Sequence, residues 1–207
     1  YSKFDGFYQI VIDLPGHGKS PGDGFRTIEG YADFIDSVVT ELGLENFILT
    51  GHSMGGAISL QYALNFPNKL RGIILLSAGA QFIIPDELLK IAKNDGTLYE
   101  YTYSKVTPLD TIKQAERENY KSNCIVRYND LLACNHFNIT SKLNRISVDT
   151  CIICGDNDLI VPPKYSQYLH KNIKDSQLHL IKNAGHMVLW EQPDRVCQQM
   201  CDFLKTL

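Results

Sequence analysis

Short apolar runs alternate with helix-like segments along most of this 207-residue chain. Apolar runs of buried-strand type, bounded by turn residues, occur at 8–13, 47–50, 72–77, 151–154 and 177–181. Segments with apolar residues at helical spacing occur at 27–42, 54–65, 163–172 and 192–207. Buried strands separated by helices predict parallel strands that are joined by right-handed crossovers and covered on both faces. The pattern therefore predicts an α/β protein with a doubly wound, mostly parallel sheet.

The alternation stops between residues 81 and 145, a segment that we call the insertion. No strand pattern occurs there, and the sequence predicts short helices at 85–93, 109–120 and 123–134. An insertion between two strands of an α/β unit is typical of a cap over the sheet edge where ligands bind. We therefore predict a core formed by 1–80 and 146–207 and a helical cap formed by 81–145. Five tyrosines of the insertion favour ordinary helix packing over an apolar acyl pocket: Tyr99, Tyr101, Tyr103, Tyr120 and Tyr128.

The composition predicts a soluble globular domain that does not bind nucleic acid. Apolar residues make up 44% of the chain, which is enough for a sizeable core. The net charge of −3 provides no basic surface for nucleic acid. The longest apolar stretch, at 72–85, is too short to span a bilayer. We therefore expect a small molecule as the partner and no membrane span.

Six cysteines in a chain of this length do not indicate a disulfide framework. Cys151 and Cys154 form a C-x-x-C, but they lie in an apolar run of strand type, where cysteine acts as a small hydrophobe. No second C-x-x-C or histidine pair completes a zinc site in the sequence. We expect no metal and no cofactor, and this cysteine usage favours a reducing, cytoplasmic location.

A serine stands between two glycines where the apolar run at 47–50 meets the helix-like segment at 54–65. Gly51, Ser53 and Gly55 form the G-x-S-x-G pattern of a nucleophile elbow, a strained strand-to-helix turn that exposes a hydroxyl. We expect both glycines to be required, because a Cβ at either position would collide with neighbouring backbone. The turn also brings the first amides of the helix to the hydroxyl, where they can bind developing negative charge.

A serine nucleophile needs a base within hydrogen-bonding distance, and the base needs an acid to orient it. His186 is the candidate base, because it lies in a loop of small residues between a strand and the last helix. Loops at the carboxyl ends of parallel strands converge on one edge of the sheet, where Ser53 also lies. His179 lies in a strand pattern and His170 in a helix, which favours structural or exposed roles. For His136, in the insertion, contact with substrate is the less favoured alternative.

Two carboxylates follow the strand pattern at 151–154 and are candidates for the acid. Asp156 and Asp158 both lie in the turn after Gly155. Aspartate is also common in turns, because its side chain hydrogen-bonds to nearby backbone. We expect one of the two to have a role in the turn only, and the residues alone do not choose between them.

Four motifs, in matching order, resemble those of the α/β-hydrolase superfamily. Ser53, a strand-end aspartate and His186 follow the family's order of nucleophile, acid and histidine. In the family's acid loop a glycine is followed by two residues, an aspartate and then Val-Pro, so the resemblance implies Asp158 as the acid. The loop at 13–20 is similar to the one after the family's fourth strand, and 184–193 is similar to its histidine loop and last helix.

The resemblance implies a serine hydrolase with an α/β-hydrolase fold and a helical cap. Dehalogenases and epoxide hydrolases of this fold carry an aspartate at the elbow, so Ser53 argues against both activities. The elbow sequence is most similar to those of carboxylesterases and monoacylglycerol-type lipases. The implied reaction is transfer of a small or medium acyl group from an ester to Ser53. His186 would be the base, Asp158 would orient it, and the Met54 amide would supply one oxyanion donor.

Several other functions are compatible with the same three side chains. They are acyl transfer to another acceptor, perhydrolysis and hydrolysis of a carbon–carbon bond, and the choice depends on the shape of the cap and pocket. An alternative from another class is a ligand-binding protein on the hydrolase scaffold, with slow or no catalysis.

The chain departs from the family pattern at its beginning. Family members have three strands before the one predicted at 8–13, and the loop after the third supplies the second oxyanion amide from a His-Gly pattern. Only about seven residues precede that strand here, so we expect the first three strands to be missing. Loss of the third would leave buried backbone groups unpaired between two central strands. The favoured explanation is that an N-terminal piece of the protein is absent from this sequence, and a partner chain that fills the gap is the less favoured one. If the piece is missing, we predict weak or no hydrolysis despite an intact triad.

Overall fold

A four-stranded parallel sheet forms the centre of the protein. The computed structural model describes residues 4, 6–94, 107, 109–110, 112–113 and 123–207. Within these residues the strands are β1 (Phe47–His52), β2 (Leu70–Leu76), β3 (Asp149–Gly155) and β4 (Ser176–Ile181). They lie side by side in the order β1-β2-β3-β4, and every neighbouring pair is parallel. The predicted α/β fold class is therefore confirmed.

Helices precede, connect and follow the strands, as the alternation predicted. In the described ranges they are α1 (Ile28–Glu41), α2 (Met54–Asn65), α3 (Asp86–Lys93), α4 (Cys124–His136), α5 (Pro163–Asn172), α6 (Val188–Glu191) and α7 (Pro193–Leu204). Short 3₁₀ segments, Pro67–Lys69 and Thr140–Arg145, precede β2 and β3. Thr27 begins α1 as an N-cap, because its hydroxyl accepts a hydrogen bond from the Gly30 N–H. No described helix is long and apolar enough to cross a bilayer.

Alternate residues of the strands pack into two cores, one on each face of the sheet. On β2, Ile73 and Leu75 belong to the larger core, which also contains buried residues of α1, α2 and α5. Ile74 and Leu76 belong to the second core, together with residues of α6 and α7. The two-residue period of strand side chains thus buries β2 between two layers of helices. The loops that follow the strands are left at one edge of the sheet, where the candidate site lies.

Residues 8–13, predicted to be a strand, form neither strand nor helix. Tyr8 and Val11 are 91% and 85% exposed, although their apolar run predicted burial. A strand needs a hydrogen-bonded neighbour, and within the described residues no strand pairs with this segment. The residues of β1 are mostly half-buried, whereas those of β2 are almost all buried. The prediction of a strand at 8–13 was therefore wrong.

The insertion contains two of its three predicted helices in the described residues. The helices predicted at 85–93 and 123–134 are confirmed as α3 and α4. The helix predicted at 109–120 lies largely outside the described residues, as do Tyr99, Tyr101, Tyr103 and Tyr120. Tyr128 is half-buried on α4, with Lys93 Nζ 5.9 Å from the centre of its ring.

The two ends of the insertion meet beside the sheet. Gln81 forms an isolated antiparallel bridge with Asn138. The Ile139 N–H donates to the Ala80 backbone oxygen at 2.9 Å. The insertion thus leaves and rejoins the core at one place, while the boundary of a separate cap at 81–145 stays a prediction.

Candidate active site

Ser53 alone makes the turn between β1 and α2, in a strained backbone conformation. β1 ends at His52 and α2 begins at Met54. Ser53 has φ 53° and ψ −114°, and such a conformation in a residue with a side chain costs on the order of 1–3 kcal/mol. Its N–H donates to the Leu76 backbone oxygen at 2.9 Å, which fastens the turn to the end of β2. The backbone here is therefore a strained strand-to-helix elbow.

The glycines around Ser53 differ in the space that they leave. A Cβ at Gly51 would lie 2.0 Å from the Gly55 backbone oxygen, and a Cβ at Gly56 would lie 2.4 Å from the Ala78 Cβ. A Cβ at Gly55 would meet nothing within 4 Å other than its chain neighbours and the backbone of its own helix. The expectation that both glycines of the pattern prevent a collision is right for Gly51 and wrong for Gly55. The reason is that Gly55 lies in the first turn of α2, where its missing side chain would point into open space.

Hydrogen bonds join Ser53, His186 and Asp158 into one chain. Ser53 Oγ lies 3.0 Å from His186 Nε2, and His186 Nδ1 lies 2.9 Å from Asp158 Oδ2. The carboxylate accepts only, so Nδ1 carries the hydrogen and Nε2 is left to accept from the Ser53 hydroxyl. The side chains of His186 and Asp158 are only 5% and 0% exposed, so this contact is made away from water.

The loop after β3 holds Asp158 and leaves Asp156 outside the site. The second carboxylate oxygen of Asp158 accepts from the N–H groups of Ile160 and Val161, at 2.9 and 2.8 Å. These bonds orient the carboxylate and compensate for its burial. Asp156 is exposed and accepts from the side chain of Asn157 at 2.8 Å. Of the two candidate acids, the structure thus brings only Asp158 to the histidine.

The loop after β3, which carries Asp158, touches the loop after β4, which carries His186, through backbone atoms. We call these two segments the acid loop and the histidine loop. A Cβ at Gly155 would lie 2.3 Å from the backbone oxygens of both Ala184 and Gly185. The Asn157 N–H donates to Ala184 O at 2.8 Å. Because β3 and β4 are adjacent parallel strands, their loops emerge side by side at the same edge. Main-chain contacts therefore set the spacing between the acid and the histidine.

The N-terminus of α2 lies at the Ser53 hydroxyl. Met54 is its first residue, and the N–H groups at the start of a helix have no acceptor within that helix. The positive end of the helix dipole also favours negative charge at this point. The role of the Met54 N–H as an oxyanion donor stays a prediction.

Two contacts of the histidine loop were missed from the sequence. His52 Nε2 lies 2.8 Å from the backbone oxygen of His186. The Glu191 carboxylate accepts from the Gly185 N–H and, at 2.5 Å, from the Thr107 hydroxyl of the insertion. A signal was present for both residues, since His52 directly precedes the serine and Glu191 lies in the histidine motif of the family.

The loop at 13–26 is joined to α4 of the insertion by an ion pair. His17 Nε2 lies 3.0 Å from Asp130 Oδ2, and His17 Nδ1 lies 3.2 Å from the Pro15 backbone oxygen. Both ring nitrogens face acceptors, so the protonated ring can donate a hydrogen bond from each of them. The hydrogen bond to Asp130 raises the pKa of His17 above its usual value. The Tyr31 hydroxyl donates to the other oxygen of the same carboxylate.

The three histidines that the sequence offered as weaker candidates lie outside the hydrogen bonds that join Ser53, His186 and Asp158. His136 is exposed at the end of α4, and His179 is half-buried in β4. His170 is exposed on α5, with Nδ1 2.9 Å from Ser176 Oγ.

The two cysteines of the C-x-x-C are buried free thiols in β3. Burial raises the pKa of both Cys151 and Cys154 to about 12, so neither is a thiolate at neutral pH. Cys151 packs in the second core as a small apolar residue. Within the part of the chain that the structure describes, no group of three or more acidic, histidine or cysteine side chains could hold a metal ion.

An elbow serine, a strand-end acid and a histidine loop on a parallel sheet define the class of α/β hydrolases. This chain belongs to the alpha/beta hydrolase family, whose sequence model matches residues 3–199. The superfamily implied by the sequence motifs is therefore confirmed.

The similar proteins are hydrolases that bear different names. A 2-hydroxy-6-oxononadienedioate/2-hydroxy-6-oxononatrienedioate hydrolase of Paraburkholderia phymatum is 27% identical over 96% of this chain and 77% of its own length. The proline iminopeptidase PfmaB of Pestalotiopsis fici is 25% identical over 97% of this chain and 83% of its own. A solved structure, a thermophilic esterase from Thermogutta terrifontis, matches with a TM-score of 0.83 at 25% identity. That match covers 93% of this chain and 78% of the esterase.

Proposed function

We propose that this protein is a serine hydrolase that cleaves small or medium carboxylic esters through an acyl-enzyme on Ser53. The observation that carries the proposal is the chain of hydrogen bonds from Ser53 Oγ through His186 to Asp158, with distances of 3.0 and 2.9 Å. A serine hydroxyl is a weak nucleophile unless a base accepts its proton, and His186 Nε2 is placed to do so. Family membership supports hydrolysis as the reaction class.

In the first half of the reaction, Ser53 Oγ attacks the ester carbonyl carbon while its proton passes to His186 Nε2. The ring becomes positively charged and is stabilised by the Asp158 carboxylate. The carbonyl oxygen becomes negative and is bound by the Met54 N–H, and one such donor typically lowers the barrier by about 3 kcal/mol. The tetrahedral intermediate then collapses, the bond to the alcohol oxygen breaks, and His186 gives that oxygen its proton.

In the second half, water replaces the departed alcohol beside the acyl-enzyme. His186 Nε2 accepts a proton from this water as its oxygen attacks the acyl carbon. The bond to Ser53 Oγ then breaks, Ser53 regains a proton from the ring, and the carboxylic acid leaves. The charges on the ring and on the carbonyl oxygen develop at the same positions as before, so the same groups stabilise both halves.

We also propose that the insertion at 81–145 is the cap that limits the size of the acyl group. Support comes from its place in the fold, since it begins after β2, the neighbour of the strand that carries Ser53. α4 is tied to the loop at 13–26 not only by Asp130 but also by Asn129, whose side-chain oxygen accepts from Arg26 Nε at 3.0 Å.

Two likenesses favour esters over other substrates. The elbow sequence is similar to those of carboxylesterases, and a solved esterase shares 25% identity and most of the fold. A second candidate is hydrolysis of a carbon–carbon bond in a 2-hydroxy-6-oxo-dienoate. It is favoured by the 27% identity with the Paraburkholderia phymatum hydrolase, and it could use the same three side chains.

Covalent labelling with a fluorophosphonate tests the mechanism. An activated Ser53 reacts with the probe, and the Ser53→Ala variant does not. Ser37→Ala is the matched control, because Ser37 is an exposed serine on α1 whose hydroxyl donates to Asp33 O. Labelling should be lost in Ser53→Ala alone, together with a fall in turnover on the order of 10⁶-fold. An unlabelled wild type that still binds ligand would favour the ligand-binding alternative.

A substrate panel separates the two candidate reactions. p-Nitrophenyl esters of graded acyl length should be cleaved with a maximum at a short or medium chain. Consumption of a 2-hydroxy-6-oxo-dienoate should be much slower, at equal enzyme and substrate concentrations. The reverse order of rates, abolished by Ser53→Ala, would replace the ester with the carbon–carbon substrate.

A further inference from the structure

His52 connects the strand that carries the nucleophile to the loop that carries the base. It is the last residue of β1 and directly precedes Ser53. Its Nε2 lies 2.8 Å from the backbone oxygen of His186, and the two imidazole rings lie with their centres 4.8 Å apart. Because the two residues are distant in the sequence, this contact forms only when the end of β1 and the histidine loop have both reached their folded positions.

The contact requires His52 to be a donor at Nε2, and the ring is neutral. A backbone oxygen only accepts hydrogen bonds, so the nitrogen that faces it carries the hydrogen. Burial, and secondly the neighbouring His186, lower the pKa of His52 to about 4. At neutral pH the ring therefore adds no positive charge next to the imidazolium that forms during catalysis.

Successive residues of the histidine loop are held from different sides. The loop after β3 holds the backbone oxygen of Ala184, and the Glu191 carboxylate holds the Gly185 N–H. His52 holds the backbone oxygen of His186 itself, from the elbow side. The contact from His52 thus holds the main chain of His186, the residue whose side chain is hydrogen-bonded to Ser53.

We propose that His52 is a positioning residue, whose Nε2–H fixes the main chain of His186 and so keeps the imidazole within hydrogen-bonding distance of Ser53 Oγ. The inference rests on the proposed function, because it assigns His52 a part in the reaction of that same site. His52 acts through His186 and not on the reacting atoms. Its loss therefore lowers kcat and leaves KM nearly unchanged, and a displacement of about 1 Å in a reacting group reduces the rate about 100-fold.

Three variants separate the N–H donor from the bulk of the ring. His52→Phe and His52→Leu remove the donor, whereas His52→Gln keeps an N–H at nearly the same reach. With an ester that the wild type cleaves, kcat should fall about 10–100-fold in the first two variants, while KM stays within about twofold. The glutamine variant should recover most of the loss. Thermal unfolding near the wild-type temperature shows that each variant has folded.

Proton NMR of the His186 Nδ1–H provides a readout that needs no turnover. This hydrogen lies in the bond to Asp158, and its signal is identified by its absence from a His186→Asn variant. The signal should persist in the wild type and in His52→Gln. It should broaden or disappear in His52→Phe and His52→Leu, because the ring is no longer held in one place.

The possible results distinguish this inference from the proposed function. Wild-type kcat and an unchanged Nδ1–H signal in the phenylalanine and leucine variants would overturn the positioning role. A glutamine variant as slow as the phenylalanine variant would do the same. A wild type that neither reacts with the fluorophosphonate nor cleaves esters, but whose Nδ1–H signal depends on residue 52 as described, would overturn the proposed function and keep the positioning role.

Discussion

Gly51 and Gly55 lie on either side of Ser53, and we expect opposite results when each is changed to alanine. Both substitutions add one methyl group. At Gly51 the new Cβ would lie 2.0 Å from the Gly55 oxygen, 2.1 Å from the Gly55 carbonyl carbon and 2.5 Å from the Gly56 nitrogen. At Gly55 it would meet nothing within 4 Å other than its chain neighbours and the backbone of α2 itself. The pair is therefore a matched test of crowding at the elbow.

The size of the effect at Gly51 follows from these distances. Ordinary van der Waals contact begins at 3.4 Å, so the closest pair must separate by 3.4 − 2.0 = 1.4 Å. These three nearest atoms all belong to the backbone of α2, so rotating a side chain does not relieve the contact. Overpacking of this kind destabilises a protein by about 1–3 kcal/mol, and we expect the upper end for Gly51→Ala. A shift of about 1 Å at the elbow would also reduce the rate about 100-fold.

Thermal unfolding and the rate of fluorophosphonate labelling measure the two effects. For a protein of this size, about 3 kcal/mol corresponds to a fall in Tm of about 6–12 °C. Gly55→Ala should unfold at or slightly above the wild-type temperature, because alanine favours a helix over glycine by up to about 1 kcal/mol. Equal Tm values for the two variants, or a lower Tm for Gly55→Ala than for Gly51→Ala, would refute the reasoning.

Two further predictions concern the contacts of the insertion. The His17–Asp130 ion pair is complete below the unfolded pKa of histidine and is lost as the pH rises through the raised folded pKa of His17. The Tm of the wild type should therefore fall more steeply than that of His17→Gln as the pH rises above about 6.5. Asp13 is a second acidic neighbour that raises the pKa of His17. Parallel Tm curves for the two proteins would contradict this prediction. Glu191→Ala leaves the Gly185 N–H without its carboxylate and should lower kcat up to about 100-fold in steady-state ester assays. Thr107→Val removes the hydroxyl hydrogen bond to the same carboxylate and should change kcat only a few-fold. If the two variants lost the same amount of kcat, the prediction that the bond to Gly185 matters more would be wrong.

The strands of the sheet could be predicted from the sequence where an apolar run is both buried and hydrogen-bonded to a neighbouring strand. β2 and β3 are apolar runs that are buried on both faces, so their pattern and their structure agree. The run at 8–13 has the same pattern, but a strand also needs a neighbour, and hydrophobicity along the chain does not report one.

The candidate site was predictable to the extent that strand-end loops converge on one edge. This rule placed Ser53 and His186 together, while the choice of Asp158 over Asp156 needed the family resemblance, because the two share one turn. The contact of His52 with the histidine loop joins distant segments and depends on tertiary packing. The error at Gly55 arose because the motif treats a strand glycine and a helix glycine alike.

The positive φ of Ser53 means that the residue best for stability and the residue needed for the proposed turnover differ at this one position. A glycine there would relax the main chain and at the same time remove the hydroxyl that we propose as the nucleophile. A serine in this conformation therefore costs stability, which fits a chemical role for its hydroxyl and not a role in folding.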